Sequence, residues 1–221
     1  MKKKVIIVDY GLGNIRSVQK SIQKTFEANN DFDSIVERSN NYKSLIQASH
    51  IVLPGQGAFE SCMNGLKKLD GMIDELRNQV LIKNKLILGI CVGMQLFADI
   101  GFENGKHEGL GWIAGRVVKL PDECILPHMG WNEIKTPTNN TNNYKELSFH
   151  PMLNQIYNEH FYFVHSYYFD PKNKNNIIAT TYYGMDIPVF VCKNNIFGVQ
   201  FHPEKSSRAG IKFLSNFLSI C

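Results

Sequence analysis

The 221-residue sequence is short of several things. Its five cysteines (Cys62, Cys91, Cys124, Cys192 and Cys221) include no CxxC pair and are odd in number. That argues against both a disulfide framework and a zinc site, and it suggests a reducing cytoplasm. No apolar run approaches the ~18 residues of a membrane span. The opening "MKKKVIIVDY" resembles the start of a signal peptide, but Asp9 cuts its apolar run far below the ~7–15 residues of a signal core. Charge of one sign is also lacking. The net charge is only +4 and the lysines and arginines are scattered, which disfavours a nucleic-acid partner. No metal site is expected, and neither is a membrane partner.

What is present is ordinary globular material, 43% hydrophobic and 20% charged. "KVIIVDY" (Lys4 to Tyr10) reads as a buried strand followed by a turn. Ile15, Val18, Ile22 and Phe26 then recur at helical spacing, with Asn14 placed to cap the helix. "DSIVER" is a second strand. "HIVLPGQGAF" is a third, stopped by Pro54 and Gly55. Two helical patterns lie between about Phe59 and Asn84, and "KLILGI" is a fourth strand leading into Cys91. Strand–helix alternation with short links predicts a parallel sheet covered on both faces, with ligand sites at the carboxyl ends of its strands. Gly-rich turns at Gly11, Gly55 and Gly89 fall at such ends.

The second half is strand-rich: "GWIAGRVVKL", "FYFVHSYYF", "NIIATTYYG", "PVFVCKN" and "IFGVQFHP". Antiparallel additions to one sheet, closed by a C-terminal helix, are expected. The Asn-rich stretch from Thr138 to Asn143 is predicted to be a surface loop, and its "NNT" triplet (Asn139 to Thr141) a polar segment of that loop. No internal repeat is found, and residues 1–221 are expected to form one domain.

Cys91 is the first candidate for chemistry. "GICVG", after a strand and before an expected amphipathic helix, has the form G-x-nucleophile-x-G, whose small residues permit a strained strand-to-helix elbow. A following helix N-terminus favours a thiolate and offers N–H groups to an oxyanion. The competing reading is a buried core cysteine, the commoner fate of a free thiol. A thiolate nucleophile needs a base, and the base needs an orienting group. Among seven histidines only His202, in "VQFHPEKS", has such a group ready, with Glu204 two residues on. Alone, "HPE" is equally a surface turn; paired with an elbow cysteine it reads as the rest of a triad. "LPGQGAF" can add oxyanion donors through Gly55, Gln56 and Gly57, or be a plain strand-ending loop. "DYGLGNIR" has Arg16 where a dinucleotide loop needs its third glycine, so no cofactor is expected.

Taken together, "GICVGMQLF", "PGQGAF" and "GVQFHPEKS", in this order and spanning nearly the whole chain, resemble the class I glutamine amidotransferases. "VDYGLGNIRSV", "LPHMGWNEI" and "FYFVHSYYF" are further similar to the glutaminase subunits of imidazole glycerol phosphate synthases. The resemblance implies a single-domain α/β, flavodoxin-like fold, its central mostly parallel sheet flanked by helices, with antiparallel strands in the C-terminal half. It implies Cys91, His202 and Glu204 as a triad hydrolysing L-glutamine to glutamate and ammonia through a thioester. Oxyanion donors are implied at Val92 and the Gly55–Gln56–Gly57 loop, and glutamine contacts at Gln95, Ser166 and Tyr167. Ammonia is implied to pass to a (β/α)₈ cyclase/synthase subunit in a heterodimer, which Trp131, Tyr162 and Lys205 face. Core packing is an equally good reading of Trp131 and Tyr162.

Three departures from the family pattern stand out. Gln56 replaces the valine of "PGVG". "ADIGFENG", with Glu103, replaces a Ser-Glu-Glu-Gly type run. Tyr182 stands in "TTYYG" where an acidic residue is common. They leave open a paralogous glutaminase for a surface-sugar pathway; a non-catalytic scaffold that binds the synthase and a cysteine hydrolase acting on another amide or γ-glutamyl substrate are the competing readings.

Overall fold

The structure is a computed structural model that describes residues 2–136 and 150–220. The segment predicted as an Asn-rich surface loop, Thr138 to Asn143, lies outside the described residues, as does Cys221.

The first half alternates as its hydrophobic periods predict. Strand β1 (Lys4–Val8) leads to helix α1 (Ile15–Ala28), and β2 (Ile35–Ser39) is followed by β3 (His50–Gly55). Helices α2 (Phe59–Lys67) and α3 (Met72–Arg77) precede β4 (Leu86–Cys91), with a π-helical turn at Asn78–Ile82 between. On α1 the residues at helical spacing, Ile15, Val18, Ile22 and Phe26, are the buried ones. Asn14 sits at the N-cap position, but its side chain makes no capping bond because its φ and ψ (−84°, 53°) lie outside the extended region that capping uses.

These four strands run parallel in the order β4-β3-β1-β2. The crossover from β1 to β2 and that from β3 to β4 travel in opposite directions across the sheet. Right-handed connections therefore place α1 on one face and α2 with α3 on the other. The sheet is buried on both sides, so β1, β3 and β4 read as unbroken apolar runs rather than alternating ones.

After β4 come a one-turn helix α4 (Val92–Gln95) and the short strands β5 (Ile100–Gly101) and β6 (His107–Glu108). The strands that follow are β7 (Gly115–Lys119), β8 (His128–Glu133), β9 (His160–His165), β10 (Tyr167–Pro171), β11 (Ile177–Tyr182), β12 (Asp186–Lys193) and β13 (Ile196–Val199). Helix α5 (Ser207–Ser219) closes the chain and packs beside α1.

Here the structure corrects the one-sheet expectation. β11, β12 and β13 do extend the main sheet, giving β11-β12-β13-β4-β3-β1-β2, with β11–β12 and β12–β13 antiparallel and β13 parallel to β4. The remaining strands form a four-stranded sheet β10-β7-β5-β6 and a two-stranded ribbon β8-β9. The run "FYFVHSYYF" is thus two strands of two sheets, broken at Ser166.

Two boundaries differ as well. Pro54 and Gly55 lie within β3, and Gly89 lies within β4, so the turn begins at Cys91 itself. The amphipathic helix expected after Cys91 shrinks to one turn whose four residues are all buried.

Candidate active site

β3 and β4 end side by side, with Gly55 the register partner of Cys91. The "PGQG" loop and the cysteine turn therefore leave the sheet from the same rung. Cys91 has φ 55° and ψ −115°, a region that L-residues rarely occupy and that costs about 1–3 kcal/mol. The flanking glycines explain how the elbow fits. A Cβ on Gly93 would lie 1.8 Å from the Leu53 carbonyl oxygen, and one on Gly89 would lie 2.6 Å from the Gly93 oxygen. The turn is pressed directly onto the backbone of β3, and only glycine permits that approach. Strand β4 thus ends with Cys91 at the carboxyl end of the sheet, where the buried cysteine lines a cleft of about 250 Å³.

His202 comes to the same cleft from the end of β13, the neighbour of β4. Its backbone is fixed from two sides. Its N–H donates to the Tyr162 carbonyl (2.9 Å), and its own carbonyl accepts from Ser206 Oγ (2.7 Å). Pro203 starts a short 3₁₀ turn that brings Glu204 back under the ring. Glu204 Oε1 then sits 2.9 Å from His202 Nδ1, with only 3% of the histidine side chain and 1% of the glutamate side chain exposed. With Nδ1 occupied, Nε2 is the ring nitrogen left to face the cleft; it makes no formed hydrogen bond. Burial by itself pulls the imidazole pKa down, but the charge of the adjacent Cys91 and the Glu204 carboxylate outweigh it and push it up to about 10. The arrangement favours a protonated His202 ring beside the Cys91 sulfur.

The loop opposite is held from below. Burial, then the neighbouring Cys62 and Cys91, keep the Tyr10 phenol well above its ordinary range, and its hydroxyl donates to the Pro54 carbonyl (2.6 Å). Burial likewise pushes the Cys62 thiol up, and its S–H donates to the Gln56 carbonyl (3.5 Å). Gln56 keeps its side chain in solvent, and Gly57 takes φ 100°. The substituted residue therefore alters the outer side of the loop rather than its hydrogen-bonded backbone. Glu103 finds a place too: its Oε2 accepts the Phe59 N–H (2.8 Å) at the start of α2, just past the loop.

The structure gathers the sequence-derived candidates into two groups. Gln56, Gly57, Cys91, Val92, Gln95, Ser166, Tyr167 and His202 line the cleft, and Gly55 lies beneath it. Trp131, Tyr162 and Lys205 form a separate cluster. Trp131 is the cross-strand partner of Tyr162, their rings meet edge to face with centroids 6.3 Å apart, and Lys205 Nζ stands 5.4 Å from the Tyr162 centroid. Trp131 is 53% exposed, so core packing is not its role. Met129, two residues before Trp131 on β8, is exposed as well (66%).

Three residues at the site escaped the sequence reading. Gln200 is fully buried and its Nε2 lies 3.6 Å from Cys91 Sγ. His128 and His165 are buried cross-strand neighbours on β8 and β9. A signal for Gln200 existed: it stands two residues before His202, and so on the same side of an extended chain.

Comparison with known proteins agrees with this geometry. The family model described as glutamine amidotransferase class-I matches residues 6–221. The chain is 44% identical over 217 residues to the imidazole glycerol phosphate synthase subunit HisH of Zymomonas mobilis, covering 97% of this chain and 94% of that protein. The subunit of the same name from Pelagibacter ubique is 42% identical over 221 residues, covering 98% and 99%. Among solved structures, a glutamine amidotransferase superposes with a TM-score of 0.70 at 16% identity, over 96% of this chain and 98% of that one. Another, from Thermotoga maritima, gives 0.60 at 17% identity, over 99% and 83%. At such identities these two speak for the fold alone. An elbow cysteine beside a His–Glu pair, a family match over almost the full length and near-complete relatives together place this chain in the class-I glutamine amidotransferase family.

Proposed function

We propose that the protein is the glutaminase subunit of an imidazole glycerol phosphate synthase, acting in histidine biosynthesis. Residues 1–221 form one amidotransferase domain. It hydrolyses L-glutamine to glutamate and ammonia, and ammonia passes to a (β/α)₈ cyclase subunit that makes imidazole glycerol phosphate and the aminoimidazole carboxamide ribotide co-product. The observation that carries the reading is the strained Cys91 backbone beside a His202 ring whose other nitrogen is held by Glu204.

The chemistry follows from that geometry. The Cys91 sulfur attacks the side-chain carboxamide carbon of glutamine, and the carbonyl electron pair moves onto oxygen. N–H groups of Val92 and of the Gly55–Gln56–Gly57 loop stabilise that oxyanion, a kind of donor worth roughly 3–4 kcal/mol. His202 Nε2 delivers its proton to the departing nitrogen, which leaves as ammonia, and a glutamyl thioester remains. Water then gives a proton to the same nitrogen and attacks the thioester carbon, so glutamate leaves and the thiolate returns. Glu204 fixes the ring so that one nitrogen serves both transfers. Gln95, Ser166 and Tyr167 hold the glutamine.

The exposed Trp131–Tyr162–Lys205 cluster with Met129 is the face for the cyclase subunit in a heterodimer. Its apolar, aromatic and cationic make-up suits a protein interface. A cytoplasmic setting is supported by the free thiols of Cys62, Cys91, Cys124 and Cys192, and no described helix is long and apolar enough to cross a membrane.

A non-catalytic scaffold is not favoured, because the cysteine, histidine and glutamate stand assembled. A surface-sugar paralogue is not favoured either, since both relatives named above are imidazole glycerol phosphate synthase subunits. The test is glutaminase activity with and without the cyclase subunit and its ribonucleotide substrate. Strong stimulation by the partner and loss of turnover in Cys91→Ala are expected. Full activity in Cys91→Ala would overturn the assignment.

A further inference from the structure

Four polar side chains are buried beside the cleft yet belong to no part of the triad: Gln95, His128, His165 and Gln200, all 6% exposed or less. They form one continuous line. Asn132 Nδ2 reaches His128 Nε2 (3.2 Å), and His128 Nδ1 reaches His165 Nε2 (3.0 Å). His165 Nδ1 reaches the Tyr167 carbonyl (2.9 Å), which also accepts from Gln95 Nε2 (3.0 Å). Gln95 Nε2 reaches Gln200 Oε1 (2.9 Å), and Gln200 Nε2 ends on Cys91 Sγ (3.6 Å).

The direction of every bond is forced. A carbonyl only accepts, so His165 donates to Tyr167 from Nδ1 and Gln95 donates from its amide nitrogen. Burial holds His128 down to about 4 and His165 down to about 3, so each ring is neutral at pH 7 and carries one proton. The His165 proton is spent on Tyr167, so its Nε2 must accept and His128 must donate from Nδ1. His128 Nε2 then accepts from Asn132. Backbone groups fix the Asn132 amide independently: its Oδ1 accepts the Glu133 N–H (2.8 Å) and its Nδ2 donates to the Tyr182 carbonyl (3.0 Å). At the other end, a donating Gln95 obliges Gln200 to accept with its oxygen. Only its N–H₂ can then point at the cysteine.

We propose that Gln200 is a positioning residue for the nucleophile, presenting an N–H to the Cys91 sulfur in an orientation imposed by Gln95, whose own amide the Tyr167 carbonyl fixes. The inference rests on reading Cys91 as the nucleophile. An N–H aimed at sulfur stabilises the thiolate over the thiol and holds it at the mouth of the elbow.

Alkylation of Cys91 tests this without glutamine or a partner, so its outcome is separable from that of the glutaminase assignment. Iodoacetamide labelling of the full chain is followed by peptide mass mapping, which distinguishes Cys91 from Cys62, Cys124 and Cys192. The other ionisable groups near the sulfur are Tyr10, Cys62, Glu103, His165, His202 and, through His202, Glu204. All stay in place in Gln200→Met, which keeps the side-chain length and removes the donor. Its labelling rate at pH 7 is expected to fall about tenfold and to recover toward wild type by pH 10, as loss of one hydrogen bond to a charged acceptor requires. Gln95→Met, which removes the donor that fixes the Gln200 amide, should fall in the same sense. The double variant should be no worse than Gln200→Met, because the two act through one line. If Gln200→Met does not fold, Gln200→Glu keeps the acceptor and puts a carboxylate against the sulfur, and a larger pH 7 deficit is expected. Wild-type labelling across the pH range in a folded Gln200 variant, or full additivity with Gln95→Met, would overturn the proposal.

Discussion

Replacing Gly93 by alanine is a severe test of how the nucleophile is mounted. The added Cβ would fall 1.8 Å from the Leu53 oxygen and 2.9 Å from the Leu53 carbonyl carbon, both backbone atoms of β3. An unstrained carbon–oxygen approach is about 3.3 Å, so one side must retreat by roughly 1.5 Å. β3 cannot move, because β1 and β4 are hydrogen-bonded to its two edges. The elbow must therefore rise off the sheet and carry Cys91 away from His202. Overpacking against rigid backbone costs about 3 kcal/mol or more, which for a chain of this size lowers Tm by roughly 6–12 °C. A displacement of about 1 Å at the reacting atom costs about a hundredfold in rate. Thermal unfolding by circular dichroism and glutamine hydrolysis in the presence of the cyclase subunit measure the two effects. Gly57→Ala is the contrast. Nothing lies within 4 Å of its Cβ position, and only its φ of 100° is unfavourable, so a cost of about 1–2 kcal/mol is expected. A Gly93→Ala protein with wild-type Tm and turnover would refute the claim that close approach to β3 is what demands glycine there.

The His202 pKa, raised to about 10 against burial by Cys91 and Glu204, exceeds the ordinary value near 6.5, so its contribution to stability is complete below pH 6.5 and disappears as pH climbs through about 10. Cys91→Ala removes the leading contribution that raises it. The imidazole NMR titration of that variant should move to lower pH, and an unmoved titration would break the proposed coupling. At the acid side, burial holds His50 down to about 4, so between pH 6.5 and about 4 it opposes folding by about 1.4 kcal/mol per pH unit. Its ring packs edge-on against Phe217, and His50→Leu should therefore flatten the acid limb of a Tm–pH curve without touching turnover. Trp131→Ala should weaken binding to the cyclase subunit by about 2 kcal/mol or more in calorimetry while Cys91 alkylation stays normal, and unchanged affinity would remove Trp131 from the interface.

Local signals made the elbow and the His–Glu pair legible, because each depends on residues a few positions apart, although the exact ends of β3 and β4 were not. The parallel core was legible for the same reason: its strands are short unbroken apolar runs and its α1 helix shows four apolar residues at helical spacing. The division into three sheets was not. "FYFVHSYYF" is equally strand-like on both sides of Ser166, and which neighbour each half pairs with is decided by β8 and β7, far away in sequence. "MQLF" resembled one face of an amphipathic helix, but α4 is buried on every side, so its apolar spacing carries no facing information. The buried polar relay was hidden for a similar reason. His165 occupies an inward position of β9 beside Phe161 and Phe163, and its partners stand up to dozens of residues away. That Trp131 stands 53% exposed, while its cross-strand partner Tyr162 is half-buried, is something periodicity on a two-stranded ribbon cannot supply.

The backbone of Cys91 has one more consequence. At φ 55° and ψ −115° a glycine would rest where the cysteine is strained, so Cys91→Gly relieves a local cost of about 1–3 kcal/mol while removing the thiol. Folding and chemistry make opposite demands on a single position. Laboratory selection of this chain for heat resistance alone would discard the proposed nucleophile, and only selection on turnover would keep it.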